Sequence, residues 1–462
     1  MTRFLRAAAV ALLLAAPLSA AGRQEFTKEF SRTMPLAAPQ KLRIENSNGD
    51  VRVKTRAGGD VTIHASIRVS SSDQEGAEKF AADIRIEVEQ GGSGVSVRTI
   101  YPHKDWSFRG SGYASYAVDY EIAIPDGVPL ELRNRFGNVS IENLHADGDV
   151  RNSNGQVQFR GGRGVQHLEN SFGRLAVAGN AGDVSVVNGN GDTSVADVDG
   201  RSDIQSRFGR IDVARLRKPA KIVNSNGDVV LRDVAGGSTV TTSFGRIDAD
   251  TVAGSIELHD SNGAVSVRKI QGSARIETRF GAAEATGVGG NLSVENANGP
   301  ITVTDLGGAA DLRGSFGTIH ATRIGGDAAV AATNSAVALA DVRGNVRVRT
   351  SFAPVSLERF GGAVDVDNQN GSIEARAPDA VNCSRTALRT TFGTIRFVLP
   401  PNPDYRVEAR TTFGRIHSDV PVAGASQDAG SGEGALSGSI GRGRCPLTLT
   451  DSNGSIEIVK GR

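Results

Sequence analysis

The sequence repeats with a period of 18 residues from Phe136 to Gly371, and this period restricts the possible folds more than any other feature. We call the position that recurs every 18 residues, usually a glycine, the marker. The residue before each marker alternates between Phe and Asn, so the complete repeat has 36 residues and two coils. Such a repeat predicts one supersecondary unit stacked on the next. Ser335 and Ala353 fill two of the marker slots, and a glycine fills the others, at positions 137, 155, 173, 191, 209, 227, 245, 263, 281, 299, 317 and 371.

Apolar residues occur two, four, seven and thirteen positions after the marker, as Ile211, Val213, Leu216 and Ile222 do after Gly209. The residues between them are mostly polar or small, which is typical of β-strands with β-branched residues on the buried face. A second glycine recurs nine residues after most markers and indicates a second tight bend per coil. We therefore predict an all-β fold, a single-stranded parallel β-helix or β-solenoid with coils of about 18 residues, forming a rod of roughly 60 Å.

The first 21 residues resemble a secretory signal peptide. Arg3 and Arg6 provide the charged start, residues 7–16 the apolar run, and Leu18-Ser19-Ala20 a small-residue cleavage site. The apolar run is too short to span a bilayer, and no later segment of the sequence is apolar enough to do so. The sequence thus predicts an exported protein that is periplasmic, attached to the cell surface or secreted.

Both flanks of the regular region depart from the 18-residue register. We expect irregular β coils and a cap over 22–132, the regular solenoid over 133–376, and longer coils with a cap over 377–462, including a mobile loop at 423–439. One short helix is expected over 72–82, with Ser72 or Asp73 as its cap and Ala77, Phe80 and Ala81 facing inward.

Composition and charge favour the same class. The chain has 57 Gly among 462 residues, only 5% aromatic residues and two Met, which is typical of a turn-rich stacked protein. Removal of Arg3 and Arg6 with the leader takes the formal net charge from +1 to −1. A nucleic-acid-binding protein would carry a basic excess, so no nucleic-acid partner is expected.

The alternating corner residues allow two interpretations. Rings that point outward would form an apolar stripe for a partner, whereas rings that point inward would fill the corner while the smaller Asn side chains bond along the stack. We favour the inward, structural interpretation, because long exposed apolar patches are rare in soluble proteins. This corner ladder is represented by Phe172, Asn190, Phe208, Asn226, Phe244 and Asn262.

Each coil forms one rung of the stack. Charged residues follow the marker on five successive rungs. Opposite charges one rung apart favour the correct register, although a site for a sugar acid or another carboxylate is the alternative. Asn-Gly-Asp corners such as Asn48-Gly49-Asp50 lack the frame of calcium-binding repeats, so no metal or other cofactor is predicted. The five residues are Arg174, Asp192, Arg210, Asp228 and Arg246.

Two further groups outside the regular region are candidate sites. Cys383 and Cys445 are the only cysteines, and in an exported chain they either form a disulfide that joins the C-terminal coils or remain free. An aromatic cluster either binds a sugar or peptide or packs over the cap, and packing is favoured. Its members are Tyr101, Trp106, Phe108, Tyr113 and Tyr116.

Catalysis has little support in the sequence. The seven histidines are scattered without ligand spacing, and no nucleophile elbow, P-loop, HExxH or CxxC motif occurs. A carbohydrate-active enzyme, a polysaccharide lyase or hydrolase on a β-helix, is kept as the alternative, because its site would need only side chains converging from different rungs.

The signal peptide, the recurring S-N-G-x-[VI] and S-F-G-x-[IV] corners and the terminal L-T-L-T-D-S-N-G-S-I-E-I resemble the bacterial putative-adhesin β-strand-repeat family. The likeness extends from about Leu42 to Ile458 and implies an exported protein without catalytic residues. We therefore expect a non-enzymatic scaffold or adhesin-like protein that binds a cell-envelope glycan or surface protein. Filament assembly through uncapped terminal rungs is a third hypothesis.

Overall fold

The computed structural model describes residues 24–102, 115–379, 383–426, 429–430 and 433–461. The expected signal peptide, 1–21, lies outside these residues. The first elements form the N-terminal end of a long β-solenoid: β1 Gln24–Pro35, β2 Lys41–Asn48, β3 Val51–Arg56, β4 Asp60–Ser71, α1 Gln74–Asp83, β5 Arg85–Gly91, β6 Gly94–Ile100 and β7 Ser115–Pro125.

The regular region contributes two strands to almost every coil, one to each of two long parallel sheets. The strands are β8 Leu130–Phe136, β9 Val139–His145, β10 Gly148–Asn154, β11 Val157–Arg163, β12 Gln166–Phe172, β13 Leu175–Asn180, β14 Val184–Asn190, β15 Thr193–Val198, β16 Ser202–Phe208, β17 Ile211–Leu216, β18 Ala220–Asn226, β19 Val229–Val234, β20 Ser238–Phe244, β21 Ile247–Val252, β22 Ile256–Asn262, β23 Val265–Ile270, β24 Ala274–Phe280, β25 Ala283–Val288, β26 Leu292–Asn298, β27 Ile301–Leu306, β28 Ala310–Ile324, β29 Ala328–Ala332, β30 Ser335–Val342, β31 Val346–Thr350, β32 Val355–Phe360, β33 Val364–Asn370 and β34 Ile373–Arg376.

Each coil lies on the previous one in an 18-residue register, which confirms the predicted β-solenoid. In the first sheet Ile204 pairs with Val186 on one side and Ile222 on the other, and in the second sheet Val213 pairs with Val195. These side chains are almost completely buried between the two sheets. Stacking of apolar residues at the same position in successive coils therefore builds a continuous core from side chains that no single coil could bury.

The marker glycines line up along one edge of the rod. The amide of Gly173 donates to the carbonyl of Asn190, and the amide of Gly191 donates to that of Phe208. A Cβ added to Gly191 would lie 2.2 Å from the carbonyl oxygen of Gly173, so the close approach of successive rungs requires glycine here.

Where Ser335 and Ala353 occupy the marker position, the residue before the marker has the left-handed conformation: Asn334 (φ 53°) and Phe352 (φ 63°).

A second left-handed position occurs six residues after the marker, and Gly, Asn or Asp fills eight of its thirteen slots. Glycine occupies it at Gly161, Gly179 and Gly287, but most coils place a larger residue there with φ between 53° and 59°. Where the residue is Arg, Lys or Thr, the stacking of the strands on either side imposes the bend, since these residues do not favour this conformation. The larger residues are Asn143, Asp197, Arg215, Asp233, Thr251, Lys269, Asp305, Arg323, Asp341 and Arg359.

At the N-terminal end, antiparallel strands extend the two sheets. The coil of β2 and β3 stacks directly on β8 and β9, and β7, β4 and β1 then continue the second sheet. Helix α1 begins after Asp73, whose carboxylate accepts from the amide of Gly76. Ala77, Phe80 and Ala81 are buried, so the expected short helix is confirmed.

The C-terminal strands stack out of chain order. They are β35 Thr386–Phe392, β36 Ile395–Leu399, β37 Tyr405–Thr411, β38 Ile416–Ser418, β39 Ala423–Ser426, β40 Ala429–Gly430, β41 Glu433–Ile440, β42 Cys445–Asp451 and β43 Ile456–Lys460. The last coil in sequence, β42 and β43, lies between β35 and β36 on one side and β37 and β38 on the other.

The expectation of a loop over 423–439 is wrong for its described residues. They form β39, β40 and most of β41, and β41 pairs antiparallel with the edge of β37. The pairing gives hydrogen-bond partners to an edge strand that would otherwise lie open. Within the described ranges no helix is long and apolar enough to cross a bilayer.

Candidate binding surface at the phenylalanine edge

The phenylalanines before the marker point away from the core, so the favoured inward interpretation is wrong. Phe172, Phe208 and Phe244 are 55%, 45% and 54% exposed. The strand alternation ends three residues before the marker, because the chain begins its bend there and turns the next two side chains outward. The structure therefore corresponds to the alternative that the sequence left open, an exposed row of rings.

The inside of the corner is filled by buried polar residues three positions before the marker. The Nδ2 atom of Asn224 donates to the carbonyls of Gly209 and Gly227 at 3.0 and 2.9 Å. Asn134 and Asn152 also bond along the stack, Nδ2 to Oδ1, at 3.2 Å. The expected amide ladder thus exists, but two residues earlier than predicted. The N-x-[NF]-G pattern, as in Asn224-Ser225-Asn226-Gly227, is the signal that could have located it.

Two members of this buried ladder are carboxylic acids. Burial raises the pKa of Asp260 to about 6, against the opposing effect of the hydrogen bond from the Asn262 amide. The same cause raises the pKa of Asp451 to about 6. Both side chains are directed inward, with 5% and 2% exposure.

Within the described residues, the outward edge forms one row of eighteen positions in which Phe and Asn alternate throughout. We call this row the phenylalanine stripe. Its order from one end to the other is Asn48, Phe136, Asn154, Phe172, Asn190, Phe208, Asn226, Phe244, Asn262, Phe280, Asn298, Phe316, Asn334, Phe352, Asn370, Phe392, Asn453 and Phe413.

Asparagine side chains of the stripe bond to backbone carbonyls of the neighbouring rung. The Nδ2 atom of Asn154 donates to the Arg135 carbonyl at 3.3 Å, and that of Asn262 donates to the Ser243 carbonyl at 3.2 Å. Because rungs are about 4.8 Å apart, successive rings stand about 9.6 Å apart along the axis. The result is a regular series of aromatic ridges separated by polar gaps.

The charges beside the stripe do not pair as the sequence suggested. Asp192 and Asp228 instead accept hydrogen bonds from the backbone amides of Arg210 and Arg246 on the next rung. Arg210 pairs with Asp212, which is the main reason that its pKa lies above the usual range. Within the described ranges, no salt bridge joins any two of the five predicted ladder residues.

Ion pairs between rungs occur at the other bend instead. Arg215 binds Asp197, Arg323 binds Asp305, and Arg359 binds Asp341, at 2.5 to 2.6 Å. Each arginine lowers the pKa of its aspartate through these hydrogen bonds. These three pairs fall on the left-handed residues six positions after the marker, which sequence reasoning missed.

A shallow groove runs beside the stripe where the buried polar ladder is interrupted. Gly314 and Ala332 replace the usual polar residue, and the exposed Ala331 adds another small residue to the lining. Arg313 and Arg349 stand on either side, with Arg313 also bound to Asp311.

Ionisable side chains from two rungs converge on the outer face of the first sheet. His259 contacts Glu277 at 3.0 Å and Glu257 at 3.2 Å, and Arg275 binds both glutamates. Arg275 is the largest cause, and His259 a further one, that holds the pKa of Glu277 below its ordinary value. In the described ranges no group of three His, Cys, Asp or Glu residues is arranged to hold a metal ion.

The remaining predicted residues lie at the N-terminal end of this edge, in the C-terminal coils or outside the described ranges, and the hydroxyl of Tyr101 contacts the backbone of Asn48 at 2.9 Å. The hydroxyl of Tyr101 donates to Asn46, burial raises its pKa, and its ring lies 5.3 Å from that of Tyr116, which in turn contacts Phe80. Cys383 and Cys445 form a disulfide. The members of the aromatic cluster outside the described residues are Trp106, Phe108 and Tyr113.

Comparison with known proteins gives one family match and several distant structural likenesses. Residues 39–285, more than half of the chain, match the family model Toastrack DUF4097. No curated protein is significantly similar to this chain.

Three solved structures cover most of the chain at low identity. A putative cell adhesion protein from Clostridium sporogenes ATCC 15579 has 7% identity, covers 94% of this chain and 100% of that one, and has a TM-score of 0.15. A putative adhesin from Bacteroides fragilis NCTC 9343 has 14% identity, coverage of 58% and 97%, and a TM-score of 0.23. A putative adhesin from Parabacteroides distasonis ATCC 8503 has 11% identity, coverage of 80% and 97%, and a TM-score of 0.13. Likenesses at this level carry no argument about function.

Proposed function

The chain belongs to the Toastrack DUF4097 family, and from this premise we propose that it is an exported, non-enzymatic scaffold with an adhesin-like binding role in the cell envelope or at the cell surface. The observation that carries this proposal is the phenylalanine stripe. Its nine rings are 45–68% exposed and stand on one edge of the rod.

Exposure of nine rings in a row is unfavourable for a protein without a partner. A phenylalanine can bury about 150–250 Å². The rings are separated by asparagines and do not form one continuous patch, but nine of them on one edge expose more apolar surface than singly scattered side chains do. The bends that create the stripe are made by the marker glycine, or by Asn334 and Phe352 where the marker is Ser or Ala, and Asn occupies the same position on every second rung, so the bend itself does not require a phenylalanine. A binding role accounts for the exposed part of each ring.

The sequence of the first 21 residues supports export. The location of an exported protein then indicates which partners it can meet. Outside the cytoplasm, a rod with an extended binding edge meets cell-envelope glycans and surface proteins. The groove between Arg313 and Arg349 supports acidic groups as part of such a ligand, because guanidinium groups bind carboxylates and sulfates well.

A carbohydrate-active enzyme is the second candidate, and the cluster around His259 favours it. Hydrolysis of a glycosidic bond canonically requires a carboxylic acid with a raised pKa close to the substrate. Among the described residues, the carboxyls with raised pKa are Asp260 and Asp451, which are directed into the core, and the pKa of Glu277 is lowered. These observations support a binding role over a catalytic one.

The proposal is tested by binding of the full chain to cell-wall fractions, surface-protein extracts and a glycan array. A variant with Phe172→Ser, Phe208→Ser, Phe244→Ser and Phe280→Ser should lose at least tenfold in affinity. The matched control, Asn190→Ser, Asn226→Ser and Asn262→Ser, should retain it.

Unchanged binding by the phenylalanine variant would overturn the proposed role of the stripe. Release of reducing ends from any of the arrayed polysaccharides, if it is abolished by His259→Ala, would establish the enzyme instead. Retention of the chain inside the cytoplasm when it is produced in a bacterial host would remove the premise of export.

A further inference from the structure

We propose that the phenylalanine stripe binds the same stripe of a second copy of this chain, with the two rods antiparallel. This inference rests on the proposed binding role and deepens it by naming the partner. The pairing is homophilic, so the rod would join two molecules of its own kind.

The spacing of the stripe is the first argument. Rings about 9.6 Å apart leave gaps over the asparagines, and a ring of the second copy that enters such a gap lies about 4.8 Å along the axis from each neighbour. Aromatic rings attract one another at centroid distances of 4.5–7 Å. A second copy has the same spacing along its whole length, so its rings and gaps match those of the first throughout.

The second argument is that the stripe has an even number of positions. It begins with Asn48 and ends with Phe413, and the eighteen positions alternate without an error. Because the number of positions is even, the series starts with Asn and ends with Phe. When the second copy runs in the opposite direction, every Phe therefore lies opposite an Asn, and all nine rings of each copy enter gaps of the other. The two-fold axis then passes between Asn262 and Phe280, and the interface is closed and isologous.

The residues that follow the marker fit this reversed alignment in size. Five charged side chains, three of them long arginines, lie on successive rungs in one half of the rod: Arg174, Asp192, Arg210, Asp228 and Arg246. Reversal places them opposite five small side chains on the partner copy, in the order Ser372, Pro354, Ala336, Thr318 and Pro300. The long arginine side chains therefore meet small ones along both halves of the interface.

The charges also fit. Asp50 follows the marker glycine of the first rung and Arg415 that of the last rung, so the reversed alignment pairs them at both ends of the dimer. The arginines that precede a ring lie opposite a Ser or Thr: Arg135 opposite Ser452, Arg207 opposite Thr333, and Arg279 opposite Ser261. No like charges oppose one another at these positions, which favours the antiparallel register.

The available area is sufficient for a stable pair. The nine rings are about half exposed, and at 150–250 Å² for a fully buried phenylalanine they offer on the order of 900 Å² of apolar surface per copy. A standard protein interface buries about 800 Å² per partner. The interface thus falls within the range of specific complexes.

The first test measures the molecular mass of the full chain by sedimentation velocity over a range of concentrations. We expect a dimer, and at least a tenfold weaker dimer for Phe244→Ser with Phe280→Ser, which flank the two-fold axis. Asn226→Ser with Asn298→Ser changes the same edge without removing a ring and should leave dimerisation unchanged. A dimer that persists in the phenylalanine variant would overturn the proposal.

The second test determines the orientation with introduced cysteines, because Cys383 and Cys445 are bonded to each other. The antiparallel register places Asn190 opposite Phe352 of the other copy, so a mixture of Asn190→Cys and Phe352→Cys chains should form a disulfide-linked pair. A parallel pair shifted by one rung would instead link Asn190→Cys with Phe208→Cys. Efficient linkage in the second mixture, or in neither, would contradict the antiparallel arrangement.

Failure of this inference is distinguishable from failure of the proposed function. A chain that stays monomeric but binds a glycan or surface protein through the stripe retains the binding role and loses the homophilic partner. A chain that stays monomeric and binds none of the probes loses both.

Discussion

Phe413 lies one rung beyond Asn453, although it precedes Asn453 by 40 residues in the chain. The amide of Phe413 donates to the carbonyl of Ser452 at 2.8 Å, and the amide of Asn453 donates to that of Thr391 on the rung below. The inverted coil order still gives Phe392, Asn453 and Phe413 in alternation. The alternation therefore follows the order of the stacked coils and not the order of the chain.

The first prediction concerns the marker glycines. In Gly209→Ala the new Cβ would lie 2.4 Å from the carbonyl oxygen of Gly191, at a residue with φ of 111°. Neither backbone can move without opening the rung, so we expect a loss of about 2–4 kcal/mol in the free energy of unfolding, measured by chemical denaturation. Gly59→Ala is the control, because its Cβ meets nothing within 4 Å and should change stability by less than about 0.5 kcal/mol.

The second prediction compares two asparagines of one corner. Asn224→Ala removes a buried amide that donates to two glycine carbonyls and should destabilise the protein by about 1–3 kcal/mol. Asn226→Ala changes the stripe residue two positions later, which is not fully buried, and should have an effect of less than about 0.5 kcal/mol. Equal losses in thermal unfolding experiments would show that the inner ladder does not stabilise the corner.

The third prediction concerns pH. Burial raises the pKa of Asp260 to about 6, whereas an aspartate in the unfolded chain titrates near 4. Between these values the folded state binds more protons than the unfolded state, so the contribution of this group to stability falls as pH rises from about 4 to about 6 and is constant above that.

Asp260→Asn supplies the residue that Asn224 and Asn296 provide on other rungs, and it removes the ionisation. We expect the free energy of unfolding at pH 7 to rise by about 1–3 kcal/mol and the pH dependence between about 4 and 6 to become shallower. Asp451→Asn should act in the same direction, and the double variant should be the least pH-dependent. A variant that is less stable at pH 7 than the parent would contradict this account.

The fourth prediction concerns the two cysteines, which are separated by 62 residues and bonded in the structure. Thiol titration of the denatured chain should find no free thiol. Cys383→Ser with Cys445→Ser should lower the free energy of unfolding by about 2–4 kcal/mol, because the bond restricts the unfolded C-terminal segment. Two titratable thiols in the parent protein would end the proposal that this bond forms.

Much of the fold follows from the sequence because the 18-residue period fixes which residues lie above one another. Ile204 and Ile222 occupy the same offset in successive coils and pair directly in the sheet. Residues of the same kind stack because every coil must cover the apolar face of the one before it. The helix over Gln74–Asp83 was predictable for a local reason, since its cap and its apolar face are contained in the segment itself.

What the sequence alone determined is therefore the stacking of coils and its register, since both are written as a repeat along the chain. The tertiary structure decided the rest. The rings of Phe172 and Phe208 point outward because the bend interrupts the strand alternation, and Arg215 and Thr251 adopt left-handed conformations because the strands beside them require it. Asn453 lies between Phe392 and Phe413 because contacts between distant segments, which leave no local pattern, set the order of the last coils.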